Sequence, residues 1–374
     1  MNKILGLEFL NGNDCAWDAS RNLLVTTGAR GSNFYVRTWD VTNPFTPKLL
    51  GELVSTTIGF GRMALAGNFV YAACGTQGIA VIDITNKAAL TLTVLVAPLS
   101  GGFMNHCAAA AGFLYTAENA AGVRKFSLAS PGAPSVVASK VIGSGAAKAI
   151  AVQGTTVVVA NNNSVARLDN QLNPIMVTGG VTALDVAILG NNIAAIAGSG
   201  TGLHLFDVSG APVKKSSTLP PGGGNSSCAG VCGMGVKVGV SMFDQFQVYD
   251  VTNPVSPVPV DPNLPLPVNC KFISCGVDAA SNTLYWLSAS QIGQLAVGPV
   301  ALQPPTGGGG TDPAIAAKAA KYDQLVPLID QNQARAGNSL SVASAANNAA
   351  INSAVAADAE KANADAMTAI KNAT

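Results

Sequence analysis

Four ionisable side chains are the strongest candidates for chemistry in this sequence: Asp14, Arg62, His106 and Asp185. They fall on equivalent positions when the first strand of each repeated unit is aligned, and the remaining units carry there Ala149, Val231 and Ser274. Two carboxylates, an imidazole and a guanidinium around one channel could bind a polar ligand, or move protons in a hydrolase or lyase. The alternative is a water-filled channel with an Asp–Arg pair and solvated ions.

The next position along the same strands is rich in cysteine. It holds Cys15, Cys107, Cys232 and Cys275, with Met63, Ile150 and Val186 in the other units. Zinc needs four ligands converging on one point, and neighbouring inner strands lie too far apart for that. We therefore expect these cysteines to be buried, reduced and metal-free, acting as small apolar residues. A disulfide between Cys228 and Cys270 remains a second possibility.

The other potential catalytic signals are weak. The chain has two histidines, and neither is marked by its neighbours as part of a Ser-His-Asp arrangement. The glycine-rich stretch at 220–227 lacks the lysine and the following helix of a phosphate-binding loop. We therefore assign no catalytic residue, no metal ligand and no cofactor from the sequence.

These residues are positioned by a repeat that runs through most of the chain. Seven units each carry a strand ending near an aliphatic–Asp pair, spaced 38 to 47 residues apart; the marker residues are Asp40, Asp83, Ser127, Asp169, Asp207, Asp250 and Val297. Each unit reads as four short strands rich in Val and Ile, bounded by Gly, Asn and Pro. Seven units of this period predict an all-β fold, a seven-bladed β-propeller.

Turn chemistry explains why "DVTNP" occurs twice, at 40–44 and 250–254. The Asp at the end of the third strand can accept the backbone N–H two residues later, and Pro then ends the strand. The seventh unit lacks a fourth strand, and "KILGLEFL" (Lys3–Leu10) copies "KLLGELV" (Lys48–Val54) of the first unit. The N-terminal strand is thus predicted to complete the last blade and remove its open edge.

The repeat resembles the LVIVD-repeat family of propellers, whose units share a "GL.VIDVSNP..P.LVG" core. The closest segments are "GIAVIDITN" (Gly78–Asn86) and "VYDVTNPVSP" (Val248–Pro257), and the resemblance extends over about residues 3–300. It implies the propeller fold. It implies no activity, because that family has no shared catalytic set to carry over.

A different composition follows the repeats. We expect the propeller to occupy residues 1–303, a Pro/Gly linker residues 304–311, and an Ala-rich α-helical tail residues 312–374. The second tail helix carries one narrow apolar stripe, formed by Ile351, Val355, Ala359, Ala362, Ala366 and Ile370. Such a helix buries too little area alone, so we expect it to pack as a coiled coil with its own copies or against an assembly partner.

Charge and composition narrow the function classes. Only 11% of residues are charged and the net charge is +1, which argues against nucleic acid as a partner. No apolar run indicates membrane insertion, and the first residues do not read as a secretory signal, so we expect synthesis in the cytoplasm.

These features favour a structural or recognition protein of a large assembly, with a phage virion first among the candidates. It would attach through 312–374 and could bind a cell-surface ligand on a propeller face. The alternatives are a propeller enzyme using the channel ring and a bacterial surface-binding module.

Overall fold

The computed structural model describes residues 4–7, 11–42, 48–143, 145–218, 228–242, 246–261, 270–278, 283–290 and 295–301. The chain divides into two units, Met1–Pro304 and Pro305–Thr374. The second unit lies outside the described residues, and with it the predicted helices and their apolar stripe.

The described chain forms 28 strands. Those of the first four blades are β2 (Asn11–Asp18), β3 (Leu23–Arg30), β4 (Asn33–Asp40), β5 (Lys48–Ser55); β6 (Met63–Ala66), β7 (Phe69–Ala73), β8 (Ile79–Asp83), β9 (Thr91–Val96); β10 (His106–Ala110), β11 (Phe113–Ala117), β12 (Val123–Ser127), β13 (Ser135–Lys140); β14 (Ala147–Gln153), β15 (Thr156–Asn161), β16 (Ser164–Leu168), β17 (Pro174–Gly179). Those of the last three are β18 (Ala183–Ile188), β19 (Ile193–Gly198), β20 (Gly202–Asp207), β21 (Val213–Thr218); β22 (Cys228–Met234), β23 (Lys237–Met242), β24 (Phe246–Asp250), β25 (Val258–Asp261); β26 (Cys270–Asp278), β27 (Thr283–Ser290), β28 (Leu295–Ala301) and β1 (Ile4–Leu7). Two short 3₁₀ turns, Ala19–Arg21 and Gly190–Asn192, link first to second strands.

The strands make seven four-stranded antiparallel sheets arranged as a closed propeller. The first strands are neighbours in the cyclic order β2, β6, β10, β14, β18, β22 and β26, and β26 contacts β2 again. The last sheet has the order β1-β28-β27-β26, with Ile4 opposite Val297 and Leu7 opposite Leu295. The predicted seven-bladed fold and its closure by the N-terminal strand are both confirmed.

Closure leads to a test of stability. Deleting residues 1–10 leaves β28 without its outer partner, and we expect a loss on the order of 1–3 kcal/mol, which lowers the melting temperature by several degrees. Calorimetry on the two chains measures the difference. Deleting residues 1–3 alone is the control, since it leaves β1 whole, and equal melting of all three chains would contradict a closing role.

The strand register corrects two of the sequence alignments. Asp14, Ala149 and Asp185 each follow an irregularity in the first strand, and in blade six this place belongs to Gly230, not to Val231. In blade seven Ala301 pairs with Thr283 as Asp40 pairs with Leu23, so the marker position is Ala301 and not Val297. Both alignment errors, in the first strand of blade six and the third strand of blade seven, arose because these strands have no charged residue at the aligned position.

The aspartates at the ends of third strands make the predicted turns. An Oδ1 atom accepts the backbone N–H two residues later at 2.7–3.0 Å in Asp40, Asp83, Asp169, Asp207 and Asp250. The hydroxyl of Thr42 and then its N–H hold the pKa of Asp40 below its usual value. These turns lie at one end of the propeller, the Asp face. The hairpins between second and third strands lie at the other end, the hairpin face.

The core lies between blades. One apolar cluster joins Leu23, Val25 and Val36 of blade one to Val70 and Ile82 of blade two, and similar clusters join the blades up to blade six. Burial between sheets is the main stabilising term in such a fold. Side chains of third strands add polar contacts to the next blade's Asp-face turn, as in Thr38 Oγ1 to Lys87 O at 2.6 Å and Lys125 Nζ to Asn170 O at 2.6 Å.

Candidate functional site

The four residues of the predicted channel ring lie on or beside the first strands of blades one, two, three and five. Asp14, His106 and Asp185 belong to β2, β10 and β18, and Arg62 precedes β6. First strands run from the hairpin face, so the ring lies towards that end of the channel. The structure brings Arg62 and Asp185 together directly, and Asp14 and His106 lie within their electrostatic reach.

Arg62 and Asp185 form an ion pair between blades two and five. Two blades separate them around the ring, so the pair crosses the channel. The Asp185 side chain is 3% exposed and that of Arg62 is 26% exposed. A buried carboxylate needs such a partner, because an unpaired charge in this setting is costly. The pair therefore spans the channel at this level.

The ring also binds backbone N–H groups of neighbouring first strands. Asp14 Oδ2 accepts from Met63 N at 2.6 Å, and Asp185 Oδ2 accepts from Val231 N at 3.0 Å. The Nδ1 atom of His106 accepts from Ile150 N at 3.1 Å. Blades one, three and five thus supply acceptors to blades two, four and six. Each first strand lies at the inner edge of its sheet, so part of its backbone N–H groups have no partner within the sheet. The ring side chains accept hydrogen bonds from three of these groups.

The protonation of His106 follows from this arrangement. Burial, and then the charge of Arg62, lower the pKa of His106 to about 3. The imidazole is neutral at pH 7 and its Nδ1 lone pair is occupied by Ile150 N. A general base is most effective when its pKa is near the working pH, so His106 is poorly suited to proton transfer.

Both histidines should make stability depend on pH. The pKa of His204 is lowered to about 4 by burial and by Lys214, and that of His106 to about 3, against an ordinary value of 6.5. Below pH 6.5 the unfolded chain binds protons that the folded chain excludes, so the free energy of unfolding falls as pH falls. Each group contributes up to about 1.4 kcal/mol per pH unit between pH 6 and pH 4.5.

Urea unfolding at pH 7.0 and 5.0 measures this slope. His106→Gln offers a neutral acceptor to Ile150 N and should reduce the slope. A slope unchanged by the substitution would show that His106 does not titrate as described.

The cysteines behave only in part as predicted. Cys15 and Cys107 are buried and not disulfide-bonded, and burial raises the pKa of the Cys107 thiol. Cys232 is disulfide-bonded, so the prediction that it is reduced was wrong. Cys228 is free, which contradicts a Cys228–Cys270 bridge. In blade six, Val231 takes the place that the alignment gave to Cys232, because the register there differs by one residue.

The disulfide predicts a thiol count. Four cysteines of the described residues lie outside any disulfide, and the bridge at Cys232 uses two of the seven, so we expect five thiols in the unreduced chain. We expect mass spectrometry after alkylation in denaturant to find five labels, and seven after reduction. The chain alkylated after reduction is the internal control. Seven labels without reduction would exclude the bridge.

Sequence reasoning missed a buried ion pair in blade three. Glu118 is 0% exposed and pairs with Arg124, whose side chain is 5% exposed. Thr116 Oγ1 and Leu99 N also donate to Glu118, at 2.8 and 2.9 Å, and Arg124 Nη2 donates to Ala97 O at 3.0 Å. The pair joins the hairpin after β11 to the connection that enters the blade. The one signal of this ion pair in the sequence is a Glu and an Arg on either side of a predicted hairpin.

A groove was also missed. It lies on the Asp face between blades one and two, has a volume of about 620 Å³, and its walls include Arg21, Asp40, Thr42, Leu50, Asn86 and Lys87. We call it the blade groove. Its residues come from two repeat units, which is why no local motif marked it.

Within the ranges that the structure describes, no group of three or more His, Cys, Asp or Glu side chains is arranged to hold a metal ion. The same residues include no helix able to span a lipid bilayer. The stripe of residues 351–370 lies outside the described residues, so its role stays a prediction, as does ligand binding by the channel ring.

Comparison with known proteins supports the fold. The WD40 repeats of RRP9 match with a TM-score of 0.62 at 10% identity, over 80% of this chain and 97% of that chain. A chain of the mitotic checkpoint complex matches with a TM-score of 0.58 at 12% identity, over 77% and 89%. The computationally designed Ika8 protein matches with a TM-score of 0.53 at 13% identity, over 80% and 100%. A search of curated proteins finds no match.

The seven four-stranded sheets, whose first strands form a closed cycle, define the chain as a seven-bladed β-propeller. More particularly, residues 61–97, which cover blade two, match the LVIVD repeat. The resemblance drawn from "GIAVIDITN" is therefore confirmed, and its match lies in that blade.

Proposed function

We propose that this propeller is a non-enzymatic structural or recognition protein of a large assembly, with the virion of a tailed phage (tail, appendage or capsid decoration) as the favoured case. One observation carries the non-enzymatic part. Asp14, Asp185 and His106 are engaged with backbone N–H groups, and Arg62 is engaged with Asp185. A catalytic ring needs groups that can reach a substrate, and here the candidates hold the blades together.

Attachment is assigned to the tail. A closed propeller needs no helical appendage for its own stability, since its seven blades already share a core. The Ala-rich stripe from Ile351 to Ile370 suits close helix–helix approach and gains stability from a second copy or a partner helix. The propeller would then present its loops outward.

The disulfide at Cys232 bears on location. Disulfides persist in oxidising surroundings, which include virion and cell surfaces, and are rare in the cytosol. It supports an assembly that leaves the cell. It equally favours the second candidate, a bacterial surface-binding module, which would need no tail-mediated assembly.

Removing the tail tests the assembly role. The full chain should be oligomeric in light scattering after size exclusion, and the chain truncated after Thr306 should be monomeric with an unchanged melting transition. A full-length variant with Ile351→Asp and Val355→Asp should also be monomeric. The matched control, Asn352→Asp with Ser353→Asp, changes charge beside the stripe and should assemble normally. A truncated chain that assembles as the full chain does would refute the tail as the anchor, and a full chain that stays monomeric would contradict self-association through it.

A further inference from the structure

The partner of Cys232 in its disulfide can be sought by elimination. Four cysteines lie outside any disulfide: Cys15, Cys74, Cys107 and Cys228. Of the seven in the chain, two are left as partners, Cys270 and Cys275. Both belong to β26, the first strand of blade seven, and β26 contacts β22, the strand of Cys232. Elimination thus points to the interface between blades six and seven.

The repeat has a position on each first strand that packs towards the preceding blade, which we call the backward position. In blades two to six it holds Met63, Cys107, Ile150, Val186 and Val231. Each of these five lies in the apolar cluster that its blade shares with the blade before it. On β26 the backward position belongs to Cys275, which pairs with Trp286. The repeat therefore predicts that position 275 faces blade six.

The next residue along the strand packs towards the following blade, and we call this the forward position. In blades one to five it is alanine: Ala16, Ala64, Ala108, Ala151 and Ala187. All five lie in or against the cluster that their blade shares with the next one. In blade six Cys232 holds the forward position, opposite Gly239. Side chains alternate along a strand, so Cys232 faces away from Val231 and towards blade seven.

Forward and backward positions of adjacent blades meet. Between blades two and three, the backbone of Ala64 forms a hydrogen bond with the Cys107 thiol, and both residues lie in one cluster. Cys232 and Cys275 hold the same two positions between blades six and seven. If β22 were one residue out of this register, both cysteines would face the same way around the propeller and could not meet.

The register also separates the two candidate partners. Cys270 pairs with Ser290, four residues along β27 from Trp286, so it lies about 13 Å from the level of Cys275 at about 3.3 Å per residue. The Cα atoms of a disulfide are usually about 4.4–6.8 Å apart. Cys275 lies at the level of Cys232, and Cys270 does not.

We propose that Cys232 and Cys275 form a disulfide that locks blade seven onto blade six, and that the redox state of the surroundings closes and opens this lock. Closing uses an oxidant of the low-molecular-weight disulfide class. One protein thiolate attacks it and releases one thiol, and the second protein thiolate then displaces the other thiol. Two protein thiols become one disulfide and the oxidant becomes two thiols, and an excess of a dithiol reverses the exchange. The inference does not depend on the assembly role, which the tail variants test.

Peptide mapping without reduction identifies the partner. Trypsin cleaves after Lys237 and Lys271, so Cys232 falls in peptide 216–237, while the two candidates are separated into peptides 238–271 and 272–318. After free thiols are blocked, we expect mass spectrometry to find 216–237 linked to 272–318. Fragmentation should place the bond at Cys232, because Cys228 shares that peptide. A link to 238–271, or no link, would overturn the assignment.

Variants test the lock. The unchanged chain should melt several degrees lower with dithiothreitol than without it, because a disulfide stabilises a protein mainly by restricting its unfolded chain. Cys232→Ala installs the residue that five other blades carry at the forward position, so the packing between blades should be kept. We expect its melting temperature to be the same with and without dithiothreitol, and all six remaining cysteines to be labelled without reduction.

The matched control is Cys270→Ser. It should keep the bridge, show four labelled thiols without reduction, and respond to dithiothreitol as the unchanged chain does. An unchanged chain that melts alike with and without dithiothreitol would refute the lock. A response that persists in Cys232→Ala, or that is lost in Cys270→Ser, would refute it as well.

Discussion

Replacing Arg124 with methionine should lower the free energy of unfolding by about 3–5 kcal/mol, the cost of leaving a buried charge without its partner. Glu118 would keep the donors Thr116 Oγ1 and Leu99 N, but it would lose its charged partner Arg124. Methionine keeps an unbranched apolar side chain, but it also removes the guanidinium carbon that lies 4.8 Å from the centroid of the Phe126 ring. Urea unfolding followed by circular dichroism measures the difference.

A pair with one exposed partner supplies the matched control. Arg37 Nε lies 3.0 Å from Glu52 Oε2, and the two side chains are 11% and 41% exposed. Exposed pairs contribute about 0–1 kcal/mol, so Arg37→Met should cost little. The double variant Arg124→Met with Glu118→Gln should recover part of the loss, because it no longer buries a lone charge. Equal costs for Arg124→Met and Arg37→Met would show that burial of the pair does not matter.

Gly78→Ala should be nearly as damaging. Gly78 opens the "GIAVID" segment with a φ of +97°, and a Cβ atom there would lie 1.9 Å from Val96 O. A strained backbone costs about 1–3 kcal/mol and forced overlap adds about 1–3 kcal/mol, so we expect a loss of roughly 2–6 kcal/mol. Gly122 repeats the arrangement in blade three, with a φ of +90° and a Cβ position 2.1 Å from Lys140 O. Thermal unfolding of purified Gly78→Ala protein measures the loss.

Gly67 separates the two causes. Its φ is +55°, and a Cβ atom there would meet nothing within 4 Å. Gly67→Ala should therefore cost only the backbone term, about 1–2 kcal/mol. If the Gly67→Ala and Gly78→Ala variants have the same melting temperature, the close approach of Val96 O is not the reason that this repeat requires glycine.

The sequence allowed the fold to be predicted where one residue has a fixed local task. Asp40 and Asp250 end strands by binding an N–H two residues later, and that spacing is visible without a structure. The copy of "KLLG" at the N-terminus likewise revealed the closing strand. Each of these signals depends on a few consecutive residues.

The site depends on contacts between distant residues, and there prediction was weaker. The aligned ring identified Arg62 and Asp185 and raised an Asp–Arg pair as an alternative, but nothing local indicated that Asp185, and not Asp14, is the partner that pairs with Arg62 across the channel. In blade six, "CAGVCGM" contains no charged residue to fix the register, so the alignment slipped by one at Gly230. The blade groove joins residues of two units, and its shape exists only after the blades pack.

The position of β28 within its sheet has a mechanical consequence. The chain leaves the propeller from β28, which is not an edge strand, because β1 pairs with it on one side and β27 on the other. Tension applied through the residues after Ala301 would therefore pull along two hydrogen-bonded ladders in shear, instead of peeling one ladder open bond by bond. The N-terminal strand β1 therefore adds a second hydrogen-bonded ladder to β28, the strand to which the force is applied.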